Sequence, residues 1–305
     1  MSKTNEVLLD KKEVKINQEK HFNVNSITRK ILNHYKTYEE RTSFVFVGYF
    51  ELYIKHNLYI RVDNCKDFFF LVEDFIENLK MFGNEYHERV LNNFNTLGYE
   101  TIKNLYKKDD NEIVSIIESI IGSDITIEIL MDMFELLSPS DKSLNDFFTP
   151  PSISKTLSEI LIRNIDTTKE SISLYDPTCG IGRLLYYSLM DIKTRFPEKK
   201  VYCYGCDIFP KYSVFTQSIL DLVNYNSNEI FIGNSLYVKF KNKFDCILGN
   251  PPFGEMKEED YKKYIQFHMY FDDTLRDKVD KKYRNLPKLT EEEVKQLSHL
   301  QSVLH

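Results

Sequence analysis

Between residues 171 and 250 short apolar runs alternate with helix-length segments, and this alternation limits the fold more than any other feature of the chain. The runs 171–175, 201–206, 229–232 and 244–249 have strand length, while 183–193 and 212–224 carry helical periodicity. Strands separated by helices must be joined by crossovers, which puts the strands parallel in one sheet with helices on its faces. The run 244–249 reads as a buried parallel strand, because it is apolar and stops at a double proline that has no backbone N–H to give. The expected fold class is therefore α/β. Ligands of such a sheet sit beyond the carboxyl ends of its strands, so the residues after each run are the candidates for chemistry.

After the first run come Asp176-Pro177-Thr178-Cys179-Gly180-Ile181-Gly182 and then a helix. Glycines at 180 and 182 tolerate positive φ and let backbone approach a ligand closely, and the helix offers its N-terminus. A dinucleotide site wants G-x-G-x-x-G, and only G-x-G is present; a phosphate-binding P-loop is excluded because Gly-Lys-Ser/Thr is missing. With Asp176 and Pro177 ahead of it, the loop suits a cationic, nucleoside-bearing cofactor better than a pyrophosphate. The second run ends in Asp207, where a carboxylate can take both ribose hydroxyls of an adenosine, or can cap the helix that begins near Pro210. The third leads to Gly233-Asn234-Ser235, a polar side chain placed to face an adenine ring.

The fourth run delivers Asn250-Pro251-Pro252-Phe253. These residues suit a planar exocyclic amine such as adenine N6, whose lone pair is delocalised into the ring. The Asn250 side-chain oxygen and the Pro251 carbonyl can each accept one amine hydrogen, which favours a tetrahedral nitrogen with its lone pair aimed at an electrophile. The prolines hold the carbonyl still, and Phe253 offers a face for an extruded base. The competing reading is a strand-to-loop turn followed by a core phenylalanine. No Pro-Cys pair occurs, which argues against ring-carbon chemistry through a thiol adduct.

The rest of the chain bounds the setting. At 305 residues it has room for two domains with substantial cores. Residues 26–137 are mostly helical by pattern, with Phe68, Phe69, Leu71, Val72, Phe75, Ile76 and Leu79 at helix spacing; the run 44–50 is ambiguous between helix and strand. The segment 138–141 marks a join, followed by Asp146-Phe147-Phe148-Thr149-Pro150-Pro151 and a further helix. The expected organisation is a helical domain over 1–140, an α/β core over 141–255, and a charged helical tail over 256–305 with few apolar positions. Cysteines at 65, 179, 203, 206 and 246 are odd in number and lie mostly in apolar runs, so neither a disulfide framework nor a zinc site is expected, and Cys203 and Cys206 read as strand residues. No long uncharged apolar run and no apolar leader is present, which predicts a soluble, cytoplasmic protein with no membrane partner and no metal. A net charge of −6 argues against a chain coated with phosphate-binding residues. Lys239, Lys241, Lys243, Lys257, Lys262 and Lys263 flank the fourth run, and with acids interspersed they read as a solvated face rather than a phosphate track.

With these residues in hand the sequence resembles the modification subunits of type I restriction-modification systems and their N6-adenine DNA methyltransferase relatives. The motifs that carry the resemblance are Phe147-Phe148-Thr149-Pro150, Asp176 through Gly182, and Asn250 through Phe253, in that order. The resemblance implies a Rossmann-like sheet that binds S-adenosyl-L-methionine. It implies that Thr149, Pro150, Asp176, Cys179, Gly180 and Gly182 surround the methionine part, that Asp207 holds the ribose and Asn234 the adenine edge. Phe148, Thr178, Ile208 and Ser235 complete that cofactor site, and Asn250, Pro251, Pro252 and Phe253 handle the target base. Where many relatives carry aspartate, this chain has Asn234. The implied partners are double-stranded DNA with a flipped adenine and a specificity or completing subunit. In that family the sheet continues beyond Asn-Pro-Pro-Phe, whereas residues 255–305 here read as charged and helical, so the catalytic sheet is expected to be incomplete. A protein glutamine methyltransferase, a non-catalytic S-adenosylmethionine-binding subunit and an RNA target remain as alternatives.

Overall fold

A computed structural model describes residues 23–82, 85–108, 110–138, 148–225, 227–238, 240, 243–252 and 256–297. The chain divides into two compact units, Met1–Pro139 and Ser140–His305. Within the described residues no helix is long and apolar enough to cross a membrane.

The first unit is helical: α1 Val24–His34, α2 Tyr38–Asn57, α3 Cys65–Phe82, α4 Glu85–Leu97, α5 Tyr99–Tyr106, α6 Asn111–Ile120 and α7 Ile127–Leu137. Helices α1, α2, α6 and α7 start at side chains that take orphan N–H groups, Asn23, Thr37, Asp110 and Thr126. The ambiguous run 44–50 lies inside α2. A capping box between Thr37 and Glu40 opens that helix, and Phe44, Val45, Phe46, Val47 and Phe50 are all fully buried. The helix is apolar on every face because it is the centre of the unit, which erases the period by which helix and strand are told apart. A Cβ on Gly48 would come within 2.7 Å of Leu130 Cδ1, so α7 packs against bare backbone there.

The second unit holds α8 Pro151–Arg163, β1 Ser171–Asp176, α9 Arg183–Arg195, β2 Lys200–Asp207, α10 Pro210–Val223, β3 Asn228–Ile232, β4 Cys246–Ile247, α11 Glu258–Phe271 and α12 Glu291–Leu297. The four strands are parallel, in the order β3-β2-β1-β4. From β1 the chain winds outward through β2 and β3, then returns to the other side of β1. The strand order therefore reverses between β1 and β4, and the crevice at their carboxyl ends is the topological switch point where such sheets bind ligands. Cys203 and Cys206 lie in β2 as buried free thiols.

β4 departs from the expectation of a buried strand. It is parallel to β1, but its ladder is two residues long and Ile247 is 66% exposed. The reason is its place at the sheet edge: β1 covers one side, and among the described residues no strand pairs with the other. Register is held by Asp245, whose Oδ2 accepts both the N–H and the hydroxyl of Ser173 at 2.8 Å.

α8 packs along α9 through Ser154 and Ser158, both fully buried. Because α9 starts at the glycine loop, this contact brings the Thr149-Pro150 segment ahead of α8 to the same loop. Residues 256–297 are helical, with more apolar positions than the charge runs imply. Phe267 and Val294 pack on Tyr237, and Ile265, Met269 and Tyr283 form a second cluster.

Candidate active site

A cleft of about 490 Å³ opens at the carboxyl ends of the strands. Of the residues expected to form the site, Phe148, Thr178, Gly180, Asp207, Ile208, Asn234, Ser235, Asn250, Pro251 and Pro252 line it. Thr149 and Cys179 line a smaller cavity of about 30 Å³ that shares Phe148, Thr178, Gly180 and Asn250 with the cleft. Pro150 caps α8, and Gly182 precedes α9, so both shape the site from outside the cleft. Phe253 and Phe147 lie outside the described residues. Another cavity, of about 340 Å³ beside Lys169, Lys243 and Asp245, sits at the amino ends of β1 and β4, the wrong end of the sheet for a strand-end ligand.

The glycine loop is built entirely from bonds within the chain. Thr178 N–H donates to Asp176 Oδ1 at 2.9 Å, Cys179 N–H to the Cys206 carbonyl at 2.9 Å, Gly180 N–H to Asp207 Oδ2 at 2.9 Å, and Gly182 N–H to the Cys179 carbonyl at 2.8 Å. The Thr216 hydroxyl donates to the Gly180 carbonyl at 2.8 Å and ties the loop to α10. Gly180 and Gly182 have φ of +52° and +80°, and a Cβ on Gly182 would come within 2.6 Å of Thr216 Cγ2, so residue 182 has to be glycine. These four N–H groups are therefore committed within the chain rather than offered to a phosphate.

Asp207 lines the cleft, whereas Asp176 lines neither the cleft nor the smaller cavity. Asp176 is 1% exposed, and burial, with the nearby Asp207 charge adding to it, pushes its carboxyl from the ordinary 3.8 up to about 7 against the Thr178 N–H bond that lowers it. Asp207 takes Gly180 N–H on one oxygen and Phe209 N–H on the other, both at 2.9 Å. The Asp207 carboxylate thus holds its own loop while lining the cleft. The Thr178 hydroxyl is buried with no hydrogen-bond partner among the described residues. A buried carboxyl at Asp176, the half-buried Asp207 carboxylate and an unsatisfied hydroxyl beside an aromatic wall fit a cationic nucleoside, and S-adenosylmethionine has that chemistry.

The Asn-Pro-Pro segment touches this loop. A Cβ on Gly249 would lie 3.2 Å from Asp176 Oδ1 and from Pro177 Cδ, so the two strand ends meet without room for a side chain. Asn250 Nδ2 donates to Thr149 Oγ1 at 3.3 Å. Asn234 accepts from Leu236 N–H at 3.0 Å and caps a short turn, which leaves its amide N–H groups for a ligand.

Comparison with known proteins agrees with this geometry. The N-6 DNA Methylase family profile matches residues 124–299, more than half of the chain. The chain belongs to the N-6 DNA methylase family. It is 31% identical over 160 residues to the type I restriction enzyme MpnII methylase subunit of Mycoplasma pneumoniae, a match covering 48% of this chain and 28% of that subunit. Among solved structures it is similar to a modification subunit of a putative type I restriction enzyme from Vibrio vulnificus, with 18% identity, 60% of this chain and 40% of that one covered, and a TM-score of 0.40. It is also similar to the type I restriction-modification methyltransferase subunit of Streptococcus thermophilus, with 15% identity, coverage of 81% and 68%, and a TM-score of 0.42.

In this N-6 DNA methylase chain the cleft is also lined by Pro177 and Gly233, which belong to the loops named from sequence, and by Phe209, Tyr212, Leu236 and Met256, which sequence reasoning missed. Tyr212 packs against both Phe148 and Phe209, with ring centroids 5.2 Å apart in each case. A signal was present. An aromatic two residues after the strand-end acid and another three further on, across a helix that starts at Pro210, place both rings above the crevice.

Proposed function

We propose that this chain is an S-adenosylmethionine-dependent DNA methyltransferase that acts on adenine N6 as the modification component of a restriction-modification system. The observation that carries the reading is a single cleft lined by both the glycine loop and Asn250, with their strand ends in contact at Gly249. When bound, S-adenosylmethionine supplies an electrophilic methyl group. The chain's part is to hold the two reactants and to orient the nitrogen.

Asp176, Thr178 and the loop backbone would face the methionine portion, with Asp207 on the ribose. Ile208, Phe209 and Tyr212 give the adenine an apolar wall, and Asn234 directs N–H donors at the acceptor nitrogens of its edge. Asn250 Oδ1 and the Pro251 carbonyl accept the two hydrogens of the target amine, which localises its lone pair for attack; the proton lost on methylation leaves to solvent or to one of these acceptors. An adenine inside a duplex must leave the stack to reach such a cleft. Sequence choice would come from a specificity subunit, as in the systems to which the relatives' names refer. Membership in the N-6 DNA methylase family favours DNA over a protein glutamine amide as the acceptor.

The test is methyl transfer from labelled S-adenosylmethionine to duplex DNA, using the chain with whatever subunits copurify. Label is expected in N6-methyladenine, and Asn250→Ala is expected to lower the rate by about 10²-fold or more. Label in protein, or transfer that survives Asn250→Ala, would refute the assignment.

A further inference from the structure

We propose that Thr149 is a positioning residue for Asn250, fixing its amide so that the oxygen faces the cleft. The inference rests on the proposed function and deepens it, because the resemblance alone places Thr149 at the cofactor. Asn250 lines both the large cleft and the small cavity, whereas Thr149 lines only the small one. Thr149 therefore stands behind Asn250 and reaches the cleft through it. The link is the hydrogen bond from Asn250 Nδ2 to Thr149 Oγ1 at 3.3 Å, between residues 101 positions apart.

The chemistry asks for such a support. A side-chain amide is a donor at one end and an acceptor at the other, and rotation by half a turn exchanges them. The target amine approaches as a donor. With Nδ2 toward it, two donors would oppose each other and the lone pair would not be localised; with Oδ1 toward it, Nδ2 must find an acceptor behind. In the observed bond the Thr149 hydroxyl is that acceptor; because a hydroxyl can also donate, the orientation it supports is the one bonded here. Its own position is set from three sides: Pro150 has its φ locked at −56°, Pro151 begins α8, and α8 is held to α9 through buried Ser154 and Ser158. A preorganised acceptor is most effective when its support is rigid, because no reorganisation is then needed during reaction.

The test compares Thr149→Val, which keeps the shape and removes the hydroxyl, with Thr149→Ser, which restores it. In the valine variant kcat for adenine methylation is expected to fall about 10- to 100-fold, because the amide loses the partner that selects its orientation. The Kd for S-adenosylmethionine is expected to stay within about twofold, and serine is expected to recover most of kcat. A second measurement does not depend on turnover. The side-chain amide signal of Asn250 in a nitrogen-15 spectrum, assigned by its loss in Asn250→Ala, should shift and exchange faster with solvent in the valine variant and return in the serine variant. An Asn250 signal unmoved by valine would overturn the inference. So would a valine variant that binds the cofactor tenfold more weakly at unchanged kcat. If wild-type protein transfers no methyl group to DNA, the proposed function fails, and the spectra still decide the role of Thr149.

Discussion

Asp176→Asn separates the energetics of the folded chain from those of its ligand. The wild-type carboxyl is buried and moved from 3.8 to about 7, so ionising it inside the ligand-free protein costs about 4 kcal/mol. The sign follows from proton counting. Below about pH 4 the group is protonated in both folded and unfolded chains. Between about pH 4 and 7 the unfolded chain ionises while the folded one keeps its proton, so stability falls as pH rises through that window and levels off above it. Asparagine removes this penalty: the variant should match wild type near pH 4 and exceed it near pH 8 by up to about 4 kcal/mol. Cofactor binding should respond in the opposite sense. A cation bound in front of the buried Asp176 is favoured by the carboxylate, which is only about a tenth populated at pH 6, so wild-type affinity should be about tenfold weaker there than on the plateau above pH 7. Binding at pH 6 should also release close to one proton. The asparagine variant should bind about 10- to 100-fold more weakly on the plateau, with no slope between pH 5.5 and 7. The assay is titration calorimetry with S-adenosylmethionine in two buffers of different ionisation enthalpy, beside thermal melts at pH 4, 6 and 8. Flat wild-type affinity across pH 5.5–7, or a slope that survives in the variant, would refute the reasoning.

Two further outcomes follow from the loop. Gly182→Ala introduces a Cβ 2.6 Å from Thr216 Cγ2 at a φ of +80°, and should cost about 2 kcal/mol, seen as a lowered melting temperature; an unchanged melt would show that the loop tolerates a side chain there. Asp207→Ala removes the acceptor for Gly180 N–H and a carboxylate that lines the cleft, so cofactor Kd should rise by about 10-fold or more while duplex affinity stays constant. Equal loss of both affinities in that variant would place Asp207 in folding rather than in binding.

The sheet was legible because strands and helices differ in period, and the strand ends followed from counting. Three things were not. The run 44–50 shows no period because α2 is buried all round, though Thr37 and Glu40 already spelled its start. Burial of the run 244–249 depends on what pairs with its far side, and an apolar run looks the same at an edge as at a centre. The commitment of the loop N–H groups depends on Cys206 and Asp207, 27 residues from the groups they accept. Likewise the order of motifs put Thr149 and Asn250 in one site, but only the packing of α8 on α9 shows them to be bonded to each other. Within the site, residue types were legible from position, and their division of labour was set by contacts distant in sequence.

The spent amides of residues 178, 179, 180 and 182 bear on competition inside a cell. ATP shares its adenosine half with the proposed cofactor and could occupy the same ribose and ring contacts. Its triphosphate would then meet Asp207 and the buried Asp176, with the N–H groups of residues 178, 179, 180 and 182 already bonded. The loop's internal bonding therefore acts as a filter, admitting adenosine derivatives that end in a positive charge and turning away the abundant ones that end in phosphate.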